Sequence, residues 1–262
     1  MPEEPENVAS KDFITRPRLG LVEGDAVLLH EGGLFGPPQP TGQRLALEGL
    51  QWLPPCEPGQ IVGLWNNFRA AAAKNGWAEP AEPLYFLKSP AAASGHGARV
   101  PAAAPEVGRV AFEGELAIVI GRAAHRLSRD EAAGAIFGYT LANDYTAMEL
   151  LNRDASFAQW ARAKSLPGFA NLGPWIDTGF DPAAATLRTR VGGRERQNYP
   201  LDDMFFSPAE LVWRISQDLL LRPGDVILCG TSLGVLPLKP GTEVEVEVEG
   251  CCAAPTADAG GP

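Results

Sequence analysis

No apolar run in this sequence approaches the roughly 20 residues that span a bilayer, so no stretch reads as a membrane helix. Cysteine is scarce. Cys56, Cys229, Cys251 and Cys252 form no CxxC pair and no framework of spacings, which suits a reducing compartment rather than a disulfide-stapled secreted chain. Basic clusters are also missing: 22 Lys plus Arg stand against 32 Asp plus Glu, a formal net charge of −10. That field repels polyanions, so nucleic acid is not an expected partner. An anionic small substrate would need local help from a metal or from basic side chains. The amino terminus, Met1-Pro-Glu-Glu-Pro-Glu-Asn7, lacks the basic region and apolar run of a signal peptide. These absences lead to an expected cytoplasmic protein with no membrane partner.

What is present is ordinary globular composition, with 45% hydrophobic and 21% charged residues in 262, enough to bury a full core and to build an enzyme. Gly 29 and Pro 24 are both high, which implies many turns and more strand than helix. Residues 1 to about 16 read as an acidic lead-in. Arg18–Val22 and Ala26–His30 flank Glu23-Gly-Asp25 as a β-hairpin, with His30 expected at the surface. Pro54-Pro-Cys-Glu-Pro58 closes this small β-rich unit, giving expected divisions of 1–58, 59–250 and a loose tail over 251–262.

Along the main domain, Ile61–Leu64 and Leu84–Lys88 read as strands, and Asn66–Lys74 as a helix ended by Gly76. Ala91–Pro105 is expected to be a loop. Ser128-Arg-Asp-Glu131 is a capping box opening a helix through Ala135. Ile136–Tyr145 follows as a strand, and Glu149–Ala163 is expected to be helical, with Lys164 just beyond it. Gly192-Gly193 joins a second hairpin. Pro208–Leu221 has amphipathic helical spacing, and Val226–Gly234 is a buried strand, with Cys229 packed as a small apolar residue, entering a glycine-rich turn.

One stretch breaks the pattern. Val110 to Gly121 is an apolar strand carrying Glu113 and Glu115, which share a face because alternate side chains of a strand do. Leu116–Ile120 is apolar without alternation and reads as covered on both faces. Two carboxylates there repel each other, so either one takes up a proton or a cation sits between them. The alternative is a solvated face, as expected for the alternating Glu243-Val-Glu-Val-Glu-Val-Glu249. A metal held by only two neighbouring residues would be weak, and Asp144, at the tip of another strand, fits as a third hard oxygen ligand for Mg2+ or Mn2+.

Six segments in order carry a resemblance: Tyr85-Phe-Leu-Lys-Ser-Pro90, Phe112-Glu-Gly-Glu-Leu-Ala-Ile-Val-Ile-Gly121, Phe137-Gly-Tyr-Thr-Leu-Ala-Asn-Asp144, Lys164-Ser165, Gly173-Pro-Trp175 and Pro223-Gly-Asp-Val-Ile-Leu-Cys-Gly-Thr231. Over roughly residues 59–250 the chain resembles the fumarylacetoacetate hydrolase family. The resemblance implies an α+β fold with a mixed β-sheet roll and peripheral helices, and a homodimer. It also implies a divalent metal chelating a small 2-oxo or 1,3-dioxo acid, in hydrolysis, decarboxylation or isomerisation within aromatic-compound catabolism. By position, Glu113, Glu115 and Asp144 resemble the metal ligands and Lys164 the lysine facing the substrate. Thr231 resembles the residue holding the substrate carboxylate, and Lys88 a lysine that orders the site.

There are departures. Where relatives place a lid histidine and a glutamate one turn on, this chain has Arg69 and Ala72. Met148 and Pro167 replace a usual arginine and aspartate, and the closing strand is lost to Cys251-Cys252. Arginine is no base at neutral pH, so the water-activating step of hydrolysis is in doubt and decarboxylation or tautomerisation is favoured. Arg69 is read either as a clamp for a substrate carboxylate or as a surface residue of its helix. The rival reading of the whole chain is a metal-binding protein without turnover.

Overall fold

The structure is a computed structural model that describes residues 17–101 and 104–252. The acidic lead-in and most of the expected tail lie outside the described residues. The chain divides into two compact units, Met1–Gly49 and Leu50–Pro262.

The first unit is an antiparallel sheet of β1 (Leu19–Glu23), β2 (Ala26–Glu31) and β3 (Gln39–Ala46). Its first hairpin closes on the pair Glu23↔Ala26, leaving Gly24 and Asp25 as the turn. Gly24 has φ +61°, which glycine adopts without strain. Ala26, Val27 and Leu29 are buried. His30 corrects the sequence reading, because it is only 8% exposed rather than a surface residue.

The second unit begins with β4 (Ile61–Trp65), α1 (Arg69–Asn75), β5 (Leu84–Lys88) and the short β6 (Ala93–Ser94). It continues through β7 (Val110–Ala111), β8 (Gly114–Ile120), α2 (Arg129–Ala132) and β9 (Ile136–Asp144). Next come β10 (Thr146–Ala147), α3 (Met148–Leu151), α4 (Trp160–Lys164) and β11 (Ala170–Asp177). The last elements are β12 (Thr186–Val191), β13 (Arg194–Pro200), α5 (Pro208–Asp218), β14 (Val226–Leu228) and β15 (Val244–Val248).

Seven strands form one sheet in the order β5-β4-β14-β8-β9-β11-β6, parallel at β4/β14 and β11/β6 and antiparallel elsewhere. A second sheet, β13-β12-β15, is antiparallel. This mixed-sheet α+β architecture is the expected fold class. The central strand is β8, all seven of whose residues are buried, and Leu116, Ile118, Val119 and Ile120 each contribute about 1.5–3 kcal/mol by burial. No helix is long and apolar enough to cross a membrane among the described residues.

Several local expectations meet a different outcome. The helix expected from Asn66 starts at Arg69, and Gly76 ends it in the left-handed conformation as expected. The loop after Ala91 contains β6, which pairs with β11. The continuous strand 110–121 is interrupted at Phe112-Glu113. The helix expected over 149–163 is broken into α3 and α4, because Asp154 Oδ1 accepts from the Ser156 amide (2.8 Å) and hydroxyl (2.6 Å) and draws the backbone into a turn. In β15 only Val248 is fully buried. Cys251 and Cys252 are buried against the core rather than loose.

Candidate metal centre

The cluster forms where β8 begins and β9 ends. Gly114 pairs with Asn143 and Glu115 with Ala142, and the Asp144 amide donates to the Glu113 carbonyl at 2.9 Å. This register sets the two acids of one strand beside the acid that ends the next. One carboxylate oxygen from each of Glu113, Glu115 and Asp144 lies within 4.8 Å of the others. Glu115 and Asp144 are fully buried, and the Glu113 side chain is 15% exposed.

Glycine between the two acids is required by space. A Cβ on Gly114 would overlap Thr189 Oγ1 and press on Gln197 and Leu187. Around it, Gln197 Oε1 accepts from the Gly114 amide (3.0 Å), while the Tyr199 and Thr231 hydroxyls donate to the Gly114 carbonyl (2.6 and 3.0 Å). The turn after β14 contributes as well: the Gly230 amide donates to Glu115 Oε2 at 2.7 Å, from a φ of +88° that suits glycine.

Two lysines face the acids. Lys164, the last residue of α4, places Nζ 2.8 Å from Glu113 Oε2 and 2.7 Å from Asp144 Oδ2, and 5.0 Å from the centre of the Phe86 ring. Lys88, on β5, donates to Asp144 Oδ1 and, at 2.8 Å, to the Phe169 carbonyl. Burial disfavours the Lys164 ammonium, but the Asp144, Glu113 and Glu115 carboxylates outweigh it and hold the pKa above the ordinary lysine value. For Lys88 burial dominates and lowers the pKa, against the opposing Asp144 charge. Burial, followed by the Asp144 and Glu113 charges, pushes the Glu115 carboxyl well above its usual range.

The donor set fits a hard divalent cation. Three carboxylates converge, and Glu115 Oε1 is buried with no hydrogen-bond partner. Leaving such an oxygen unpaired costs about 1–3 kcal/mol, more when charged, and oxygen donors are what Mg2+ and Mn2+ take.

Of the residues singled out by sequence, the structure brings Glu113, Glu115, Asp144, Lys164 and Lys88 together. Thr231 lies one residue away from the acids, bonded to the Gly114 carbonyl and accepting from Gln197 Nε2 at 2.8 Å. Arg69 is exposed; its guanidinium donates to the Met204 carbonyl and stacks 5.0 Å over Phe205. Ala72 is buried. Sequence reasoning missed Thr146, whose hydroxyl donates to Glu113 Oε1, and Asn143, whose Oδ1 accepts from the Glu113 amide at 3.0 Å. The position of Thr146, two residues after Asp144, was the available signal. Gln197, on a strand far along the chain, gave none.

Beside the cluster is a cavity of about 130 Å³ lined by Leu64, Trp65, Phe86, Glu113, Thr146, Leu151, Trp160 and Lys164. Phe86 and Trp160 stack nearly parallel, 4.9 Å apart at 11°.

Comparison with known proteins matches two families in succession along the chain. Residues 60–256 match the family described as fumarylacetoacetate (FAA) hydrolase C-terminal, and residues 15–55 match Rv2993c-like, N-terminal. Protein Rv2993c of Mycobacterium tuberculosis is 39% identical over 221 residues, 82% of this chain and 81% of that one. A 4-hydroxyphenylacetate degradation bifunctional isomerase/decarboxylase of Salmonella dublin is 32% identical over 239 residues, 89% of this chain and 55% of that one. Among solved structures, a 5-carboxymethyl-2-hydroxymuconate delta-isomerase from Mycobacterium smegmatis superposes with a TM-score of 0.79 at 35% identity, covering 90% of this chain and 91% of that one.

Proposed function

The chain belongs to the fumarylacetoacetate hydrolase family of enzymes, and from that premise we propose that it tautomerises or decarboxylates a small 2-oxo acid through an enolate, with Mg2+ or Mn2+ held by Glu113, Glu115 and Asp144. The observation that carries this reading is the convergence of those three carboxylates around the unpartnered Glu115 Oε1. A divalent ion, when bound, polarises the 2-oxo group and the adjoining carboxylate.

The protein's own groups do the rest. Lys164 Nζ, kept protonated by its carboxylate neighbours, supplies positive charge and a proton where the 2-oxo oxygen becomes an enolate. Lys88, bound to Asp144 and the Phe169 carbonyl, fixes the carboxylate rather than reacting. Thr231 and Gln197 hold Gly114 and thereby the spacing of the two glutamates. Leu64, Leu151 and the aromatic rings form an apolar wall on this side of the cluster.

Tautomerisation moves a proton between C3 and the 2-oxo oxygen, and decarboxylation of an acid that carries a second carboxylate on C3 leaves that carboxylate's electron pair on C3 as the same enolate. Neither needs an activated water. Carbon–carbon hydrolysis does, and no histidine lines the cavity among the described residues. Relatives named for isomerase and decarboxylase activities, one of them in 4-hydroxyphenylacetate degradation, support placing the reaction in aromatic-compound catabolism. We also propose a homodimer, checked by the mass in solution at micromolar protein. The test of function is loss of enol absorbance or release of CO2 from a panel of 2-oxo acids with Mg2+ or Mn2+. Metal-dependent turnover is expected, and metal binding without turnover on any member would favour a binding protein instead.

A further inference from the structure

Resting on the tautomerisation half of that reading, since decarboxylation to a C3 enolate needs a second carboxylate, we infer that the substrate is a monocarboxylic 2-oxo acid bearing a flat or branched apolar substituent of about one ring, rather than a dicarboxylic acid. The cavity next to Glu113 and Lys164 has walls of Leu64, Trp65, Phe86, Leu151 and Trp160. Its charged lining residues, among those described, are Glu113 and Lys164 alone. Lys164 is already shared between two carboxylates at 2.7 and 2.8 Å, and the Thr146 hydroxyl is given to Glu113.

A second substrate carboxylate in this cavity would therefore meet aromatic and aliphatic walls and the like charge of Glu113. Desolvating an anion without a partner is strongly unfavourable. The other cations considered for that role are engaged: Lys88 is buried on Asp144 and the Phe169 carbonyl, and Arg69 lies on Phe205 and the Met204 carbonyl.

Size points the same way. A volume of about 130 Å³ is close to that of the apolar cavity of ~150 Å³ that accepts benzene in a small protein. Its walls are also set in advance, because Trp160 stacks on Phe86 and Trp65 packs 4.9 Å from Trp77. Trp160 and Trp65 are thus specificity-determining residues that receive the substituent while the cluster holds the oxo-acid end.

The test compares 3-phenyllactate with malate, the non-enolisable 2-hydroxy analogues of phenylpyruvate and oxaloacetate, by calorimetry on the Mn2+-loaded protein. Alongside runs kcat/KM for the two oxo acids. Phenyllactate should bind at least about tenfold more tightly, Trp160→Ala should collapse that ratio toward one, and Trp160→Phe should retain it. Malate binding as tightly as phenyllactate, or Trp160→Ala weakening both ligands by the same factor, overturns the inference while leaving the proposed function standing if oxaloacetate turns over. If neither ligand binds and neither oxo acid turns over, the proposed function fails and this inference with it.

Discussion

Replacing Glu115 by glutamine keeps the shape of the cluster and removes one charge, which separates metal binding from folding. Glu115 faces Asp144 and Glu113, each offering an oxygen no more than 4.8 Å away. Two unit charges at 4.8 Å interact by about 3.5 kcal/mol at an effective dielectric near 20. Attraction to Lys164 offsets roughly one of the two repulsions, so ionised Glu115 costs the metal-free protein on the order of 3 kcal/mol before its burial is counted. Its carboxyl pKa is raised in the folded state, by burial first and then by Asp144 and Glu113. A raised acid pKa means that the folded protein binds the proton more tightly than the unfolded chain does. The contribution of Glu115 to the stability of the metal-free wild type is therefore fully present only below the carboxyl's unfolded pKa. It falls as pH rises from the unfolded carboxyl value of about 4.3 through the raised folded value. Glu115→Gln abolishes that fall. In EDTA the variant should match the wild type at about pH 4 and exceed it at pH 8.5 by about 1–3 kcal/mol, roughly 2–10 °C in Tm. With Mn2+ the order reverses, since the wild type gains about 4.1 kcal/mol at a thousandfold excess over Kd and the variant gains little. Thermal unfolding at the two pH values, with EDTA and with Mn2+, reads all four cases. A variant less stable than wild type in EDTA at pH 8.5 that still keeps the full Mn2+ shift would refute the reasoning.

Lys164→Met removes the cation that bridges Glu113 and Asp144; Mn2+ affinity by calorimetry should not weaken, while turnover falls by about 100-fold or more, and undiminished turnover would remove Lys164 from the chemistry. Gly114→Ala forces a Cβ into Thr189 Oγ1, so denaturant unfolding should show a loss of about 1–3 kcal/mol with weaker Mn2+ binding, and a neutral effect would mean that the strand start relaxes freely. Arg69→Ala gives up an exposed contact with Phe205 worth about 0.5–1 kcal/mol. It should lower Tm slightly and leave KM unchanged, and a KM rise confined to dicarboxylic acids would restore Arg69 as a carboxylate clamp.

How far the site could be read from sequence depended on whether the signal was local. The unalternating run Leu116–Ile120 marked β8 as the buried centre of the sheet, and the acid pair before it stood out because buried strands do not carry unpaired charge. Asp144 was legible as the acid ending the next strand. The Gly24 and Gly192-Gly193 turns and the Ser128–Glu131 capping box, present as a reciprocal pair of bonds, are local as well. Lys164 was different: its position alone favoured an ordinary helix-end cation, and only the resemblance placed it at the site, where it is 2% exposed. The aromatic wall was not legible, since Trp65, Phe86 and Trp160 come from β4, β5 and α4 and meet only through tertiary packing. The break between α3 and α4 was missed because an alanine-containing stretch favours helix, whereas the Asp154 side chain offers the backbone a competing bond.

Anomalous diffraction from a crystal soaked in Mn2+ tests the central claim most directly. One strong peak is expected among Glu113, Glu115 and Asp144, with an oxygen of each about 2 Å away and Glu115 Oε1 among them. A peak elsewhere, or no peak at millimolar Mn2+, would contradict it.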